Sequence, residues 1–192
     1  SRALWRPRDS HDRLARMQIG PLTLDLPVIQ APMAGVSTPE LAAAVSNAGG
    51  LGSLGLGAST VAQAAGDIAR TRALTDRPFG VNLFCHRAPR RDAAVESAWL
   101  DRLSPLFAGF GATPPATLSD IYPGFTGAGP MLDLLCTTRP ALVSFHFGLP
   151  DAAARSRLRE TGAVLAATAT SRAEADAIAA AGLDLVVAQG WE

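Results

Sequence analysis

From residue 28 onward the chain repeats one unit. A short apolar run ends in polar or glycine residues, and an alanine-rich amphipathic stretch follows. Such alternation gives parallel strands joined by crossover helices. The apolar runs are nearly continuous rather than alternating with period two, as expected of strands covered on both faces. The pattern predicts strands at 28–33, 50–54, 79–84, 141–147, 164–169 and 185–189, and helices at 38–48, 60–74, 93–110, 131–138, 151–161 and 171–181. Helix ends are marked: Ser37 or Thr38 as N-cap with Pro39 behind it, Ser171 as a second N-cap, and Gly49 and Gly182 just past helix ends. A long irregular stretch, 85–130, interrupts the rhythm and carries a Pro- and Gly-rich loop at 111–130.

Two architectures satisfy this order, a doubly wound open sheet and a (β/α)₈ barrel. A barrel usually takes about 250 residues and eight strands. Six expected strands in 192 residues leave two possibilities, an open sheet or a barrel cut part-way round. The chain is 48% hydrophobic and 18% charged, which excludes a disordered chain and suits one core. Seventeen basic residues, all Arg, cancel seventeen acidic ones, so nothing points to nucleic acid or an anionic membrane. Two cysteines are too few for a disulfide framework, and three scattered histidines give no metal spacing. Residues 41–58 are free of charge but weakly hydrophobic, so no membrane span is expected. Residues 1–16 hold five Arg and two Asp without an apolar run, which is no secretory signal. The expectation is a cytoplasmic protein with a flexible extension at 1–19 and one partial barrel domain at 20–192.

In both architectures ligands bind at the C-terminal ends of the strands. The first expected strand ends Gln30-Ala31-Pro32-Met33-Ala34-Gly35, where Pro32 lacks a donor and Gly35 permits a turn or close approach to a ligand. An ordinary βα turn fits the same residues. Asn82 and Gln189 end two other strands. A buried amide there suits a heteroaromatic edge, which offers both donor and acceptor, and equally suits loop capping. His146 lies between Phe145 and Phe147 at a strand end followed by Gly148. It is either a packed core histidine or a base whose charged form burial disfavours. The glycines at 49–57 do not have the dinucleotide spacing and precede a strand, so close helix–strand packing explains Gly49 and Gly50.

The run Gln30-Ala31-Pro32-Met33-Ala34-Gly35-Val36-Ser37-Thr38-Pro39-Glu40-Leu41, continued by Ala44-Val45-Ser46-Asn47-Ala48-Gly49-Gly50-Leu51-Gly52, resembles the opening motif of the nitronate monooxygenases, once called 2-nitropropane dioxygenases. Val81-Asn82-Leu83-Phe84-Cys85-His86-Arg87 and Val143-Ser144-Phe145-His146-Phe147-Gly148 resemble further motifs of the class I branch, and Val187-Ala188-Gln189-Gly190 the start of a fourth. Asp120-Ile121-Tyr122 resembles the stretch that carries an active-site tyrosine. The resemblance implies an incomplete TIM-type α/β barrel of about six parallel strands that uses FMN. It implies that Ala31, Pro32 and Met33 pack beside the isoalloxazine and that Asn82 and Gln189 hydrogen-bond to it. His146 faces the substrate and Tyr122 lines the pocket. The substrate class is a nitronate or nitroalkane with O₂, giving a carbonyl compound and nitrite, and a homo-oligomer is an open expectation. The family pattern continues past Gln189-Gly190 with an Ala-Gly-Gly-His-Arg-Gly segment and two strands that hold the FMN phosphate. The sequence therefore corresponds to the N-terminal two thirds of such an enzyme, a truncated form. An FMN-dependent enoyl-ACP reductase shares the opening motif, and an inactive interaction module is a third reading.

Overall fold

The computed structural model describes residues 16–190. Residues 1–15 of the expected extension lie outside them, but its last residues are ordered into structure: Met17–Ile19 (β1) pairs antiparallel with Leu22–Leu24 (β2). The two-residue turn between them places Gly20 at φ +54, the positive φ that tight hairpins favour. Ile19 and Leu24 point their side chains into a buried cluster, so a sequence too short to show a clear strand period is fixed by burial instead.

The main sheet has five parallel strands: Gly52–Gly55 (β3), Phe79–Phe84 (β4), Leu142–His146 (β5), Val164–Ala169 (β6) and Leu185–Ala188 (β7). They pair in sequence order without reversal. A doubly wound sheet reverses at a switch point and a barrel does not, so the order selects the barrel wall. The expected strand at 28–33 is a correction: it contributes one parallel bridge, Ile29 to Leu51, rather than a strand. Gln30 N and Leu51 N donate to Leu51 O and Val28 O, each at 2.9 Å, which starts a ladder beside β3. Pro27 and Pro32 have no N–H, and the Ala31 carbonyl is taken by Ser37, so the ladder stops.

Helices Pro39–Asn47 (α1), Val61–Leu74 (α2), Ala93–Gly109 (α3), Pro130–Thr138 (α4), Ala152–Glu160 (α5) and Arg172–Ala180 (α6) follow the strands. Their starts are built as the sequence indicates. Thr38, Thr60, Asp92, Asp151 and Ser171 each accept a hydrogen bond from a first-turn N–H. Thr38 caps α1, which frees Ser37 for another task.

Alternate residues of each strand divide between two cores. Val81, Leu83, Val143, Phe145, Leu165 and Ala167 face outward, buried against Ile68 of α2, Leu132 and Leu135 of α4, Leu158 of α5 and Ile178 of α6. On the inner face, Leu51, Leu142, Val164 and Ala166 pack on the hairpin residues Ile19 and Leu24. The hairpin thereby closes the lower end of the barrel interior. Close helix–strand packing explains Gly50, as expected, and also Gly52: a Cβ on Gly50 would lie 3.2 Å from Val45 Cγ1 of α1 and 2.9 Å from Val28 O, and one on Gly52 would overlap the Ala42 carbonyl of α1. Gly49 is a correction: it takes φ +99 just past α1, and a Cβ there would meet Asp25 rather than a helix.

Candidate cofactor and active site

Above the hairpin the inner face becomes small and polar. The register aligns Gly55, Asn82, Ser144, Ala166 and Leu185 in one rung, with Phe84 beside His146 and Thr168 beside Val187 one rung higher. Small side chains at Ser144 and Ala166 leave space, and a cavity of about 550 Å³ opens over them. Ala31, Pro32, Met33, Asn82, His146 and Gln189 all line it. Six of the seven residues expected at the site thus meet in one place, although 158 positions separate the first from the last.

Asn82 is 5% exposed. Its Nδ2 donates to Ser144 Oγ at 2.9 Å and to Ser144 O at 3.3 Å. Ser144 Oγ in turn donates to Val81 O. The amide is therefore oriented from one end, and its Oδ1 takes no hydrogen bond from the described residues. Gln189 differs. Its backbone N–H is held by Ala169 O at 3.0 Å, while its side chain is exposed at the end of β7.

The Ala31–Met33 wall is shaped by two residues that sequence reasoning did not assign to the site. Gln30 spans to β3, where its Oε1 accepts from Ser53 N and its Nε2 donates to Ser53 O, each at 3.1 Å. The same Nε2 donates to Ser37 Oγ at 2.8 Å. Ser37 Oγ also accepts from Met33 N at 2.8 Å and donates to Ala31 O at 3.0 Å. The wall lies so close to β3 that a Cβ on Gly55 would come within 2.8 Å of the Met33 and Ala34 backbone. The signal that would have found Gln30 is its place two residues before Pro32, in an apolar segment whose prolines leave it short of donors.

The upper rim is aromatic. His146 and Phe147 meet edge-on at 4.1 Å between ring centroids, and Phe84 lies 5.1 Å from Phe147 and 6.2 Å from His146. A side chain at Gly57 would overlap the Phe84 ring. Phe147 holds φ +65, a left-handed conformation that a bulky residue rarely adopts and that marks stored strain at functional positions. Tyr122 is the expected residue that does not line the cavity. It is 42% exposed and packs its ring 5.6 Å from Phe84, on the outside of this aromatic group.

Burial lowers the His146 pKa below its ordinary value, and the Glu174 carboxylate partly opposes that shift. His146 is therefore a neutral imidazole at pH 7. Glu174 and His146 line a smaller neighbouring cavity of about 300 Å³. The Glu174 carboxylate accepts from Thr170 N at 2.6 Å and Thr170 Oγ1 at 2.8 Å, which holds its pKa below the usual carboxylate range. Cys85, next to the rim, is buried and pushed up to about 12, so it remains a thiol.

A planar heteroaromatic ring fits this cavity. It would lie over Ser144 and Ala166, with the Pro32–Met33 wall on one side and the open Asn82 oxygen at its edge. No Arg or Lys lines the cavity among the described residues, so they offer a phosphate no charged partner.

The nitronate monooxygenase family profile matches residues 16–192. A curated nitronate monooxygenase of Paraburkholderia phytofirmans is 57% identical over 171 residues, which cover 89% of this chain and 47% of that protein. One of Pseudomonas aeruginosa is 51% identical over 181 residues, covering 94% and 50%. Among solved structures, nitroalkane oxidase from Streptomyces ansochromogenes superposes with a TM-score of 0.71 at 39% identity, covering 86% of this chain and 46% of that one. FabK from Thermotoga maritima gives 0.60 at 27% identity, covering 86% and 40%. The chain spans about half the length of the curated relatives it matches, a smaller share than the two thirds expected from the motifs.

Proposed function

The chain belongs to the nitronate monooxygenase family, and from that premise we propose that it supplies the ring-binding and proton-accepting part of an FMN-dependent nitronate monooxygenase. The observation that carries this reading is the convergence of Asn82, His146, Gln189 and the Ala31–Met33 wall on one cavity. Asn82 would hydrogen-bond the ring edge through its open Oδ1, and Gln189 would do so from the opposite side. Ala31, Pro32 and Met33 would pack against the ring. When bound, FMN supplies the electron transfer between a nitronate and O₂, with a carbonyl compound and nitrite as products.

The residues of the chain do the rest. His146, neutral at pH 7, accepts the α-proton of a nitroalkane on a ring nitrogen and leaves the nitronate anion beside a newly formed imidazolium. Phe84 and Phe147 flank the imidazole. Tyr122 would act at the outer edge of the pocket, behind Phe84. A cytoplasmic location accompanies this reading, and among the described residues no helix is long and apolar enough to cross a membrane.

The test compares a nitroalkane with its own preformed nitronate in the flavin-loaded enzyme. His146→Asn is expected to lower kcat/KM for the nitroalkane by about 10²–10⁴-fold and for the nitronate far less, because the nitronate has already lost the proton. Equal losses at matched flavin content would contradict the base assignment. Consumption of NAD(P)H with an enoyl thioester, in place of O₂ with a nitronate, would move the assignment to a reductase. A protein that takes up no flavin would leave only a structural module.

A further inference from the structure

We propose that Glu174 is a positioning residue for His146, its carboxylate stabilising the imidazolium that forms when His146 takes up the α-proton of a nitroalkane. The proposal rests on the assignment of His146 as the base. His146, Phe147, Thr168 and Gln189 line both the 550 Å³ cavity and the 300 Å³ one, so the two share a wall. Glu174 reaches the smaller cavity from α6. Apart from His146 itself, it is the only ionisable side chain that lines either cavity among the described residues.

Glu174 stands in the first turn of α6. Thr170 N and Thr170 Oγ1 both donate to its Oε2, at 2.6 and 2.8 Å, which anchors the carboxylate at the cavity edge. The N-terminus of α6 carries the positive end of the helix dipole, which by itself opposes a cation nearby. A carboxylate in that turn reverses the sign. The other elements around His146 bring no competing charge to the cavities. From β4, Cys85 remains a thiol, and His86 just beyond it turns its Nδ1 toward Arg87 O. Thr168 of β6 is neutral. Tyr122 stands behind Phe84, and Asp151 caps α5. Arg172 and Asp176 of α6 pair with each other outside the lining.

The chemistry calls for such a group. The C–H bond of the nitroalkane breaks, an N–H bond forms on His146, and the electron pair passes to the nitro group as the nitronate. Two neutral reactants become an ion pair. Burial makes the imidazolium costly, and the fixed carboxylate offsets part of that cost from the side away from the substrate.

The test follows the His146 ring of this chain by NMR through its titration, with the signal assigned by its loss in His146→Asn. Glu174→Gln keeps an acceptor for Thr170 and removes the charge, whereas Glu174→Asp keeps the charge. His146 should titrate at lower pH in the Gln variant and near its original position in the Asp variant. Added salt should lower the His146 pKa in the unmodified chain and leave the Gln variant nearly unchanged, because Glu174 is open to solvent. In the flavin-loaded enzyme, Glu174→Gln should move the rising limb of kcat/KM for a nitroalkane to lower pH. The plateau should fall about two- to fivefold, and far less for the preformed nitronate. A His146 titration unmoved in the Gln variant overturns the proposal. So does an Asp variant that behaves like Gln, as a purely structural cap would, or a moved titration with an unchanged nitroalkane plateau. If the Gln variant fails to fold, the salt response of the unmodified chain decides. The NMR arm needs neither flavin nor turnover, so its failure is separate from failure of the base assignment, which the His146→Asn comparison of the two substrates decides.

Discussion

Asn82 and Gln189 look alike in the sequence. Each is an amide at the end of an apolar run, and each is expected to touch the same ring. In the structure they are opposites. Asn82 sits on β4 between two paired neighbours, 5% exposed, with its Nδ2 fixed by Ser144. Gln189 follows β7, which pairs only with β6 among the described strands, and every residue of β7 is at least partly exposed. A side-chain amide after a similar apolar run is a pre-set ligand group inside β4 and an unfixed one just past β7. What differs is whether a neighbour stands on both sides of the strand, because only then are the inner side chains desolvated and held by hydrogen bonds.

The largest expected contrast is in packing. Phe145 is fully buried on β5 with its ring stacked 6.2 Å from Phe125, whereas Val187 on β7 is 41% exposed. Phe145→Ala is expected to destabilise the chain by about 3–5 kcal/mol, and Val187→Ala by less than about 1 kcal/mol. Urea unfolding monitored by circular dichroism measures both. Similar losses would mean that β7 is as well covered as β5.

A smaller contrast separates the two amides. Asn82→Ala removes two hydrogen bonds to Ser144 in a buried rung, for an expected loss of about 1–3 kcal/mol. Gln189→Ala should change stability by no more than about 0.5 kcal/mol. The same unfolding curves decide, and an equal cost at the two positions would erase the distinction between them.

The smallest expected effect is the pH dependence carried by His146. Its pKa in the folded chain is below the ordinary 6.5 because burial disfavours the imidazolium. As pH falls past 6.5, the unfolded chain takes up the proton first, so stability falls between there and the folded pKa. His146→Gln should flatten that part of the stability–pH curve and leave the curve above pH 7 unchanged. A slope unaltered by the substitution would show that other groups carry it.

The legible parts of this molecule are those in which local pattern and tertiary setting agree. The continuous apolar runs of β4, β5 and β6 and the caps at Thr38 and Ser171 needed no information from distant residues. The first expected strand failed for a local reason also visible in the sequence, since Pro27 and Pro32 bracket it. The hairpin at Met17–Ile19 and Leu22–Leu24 was illegible because each arm is only three residues long, and its strand character comes from burial against Leu51, Leu142 and Val164. At the site, His146 stands at its strand end as expected, whereas Asn82 lies two residues inside β4. Gln30, Ser37 and Ser144 were not assigned, because their importance lies in bonds to residues far away in sequence. Tyr122 was expected in the pocket and packs behind Phe84 instead, a displacement set by a long loop that no periodicity describes.

The central claim is that the cavity above Asn82 and Ser144 is a flavin-ring site. Titration of this chain with riboflavin and with FMN, followed by flavin fluorescence, tests it most directly. Because no Arg or Lys among the described residues lines the cavity, the two ligands should bind with affinities within about tenfold of each other, and Asn82→Leu should weaken both alike. Absence of binding to either ligand, or binding indifferent to the Asn82 substitution, would contradict the assignment.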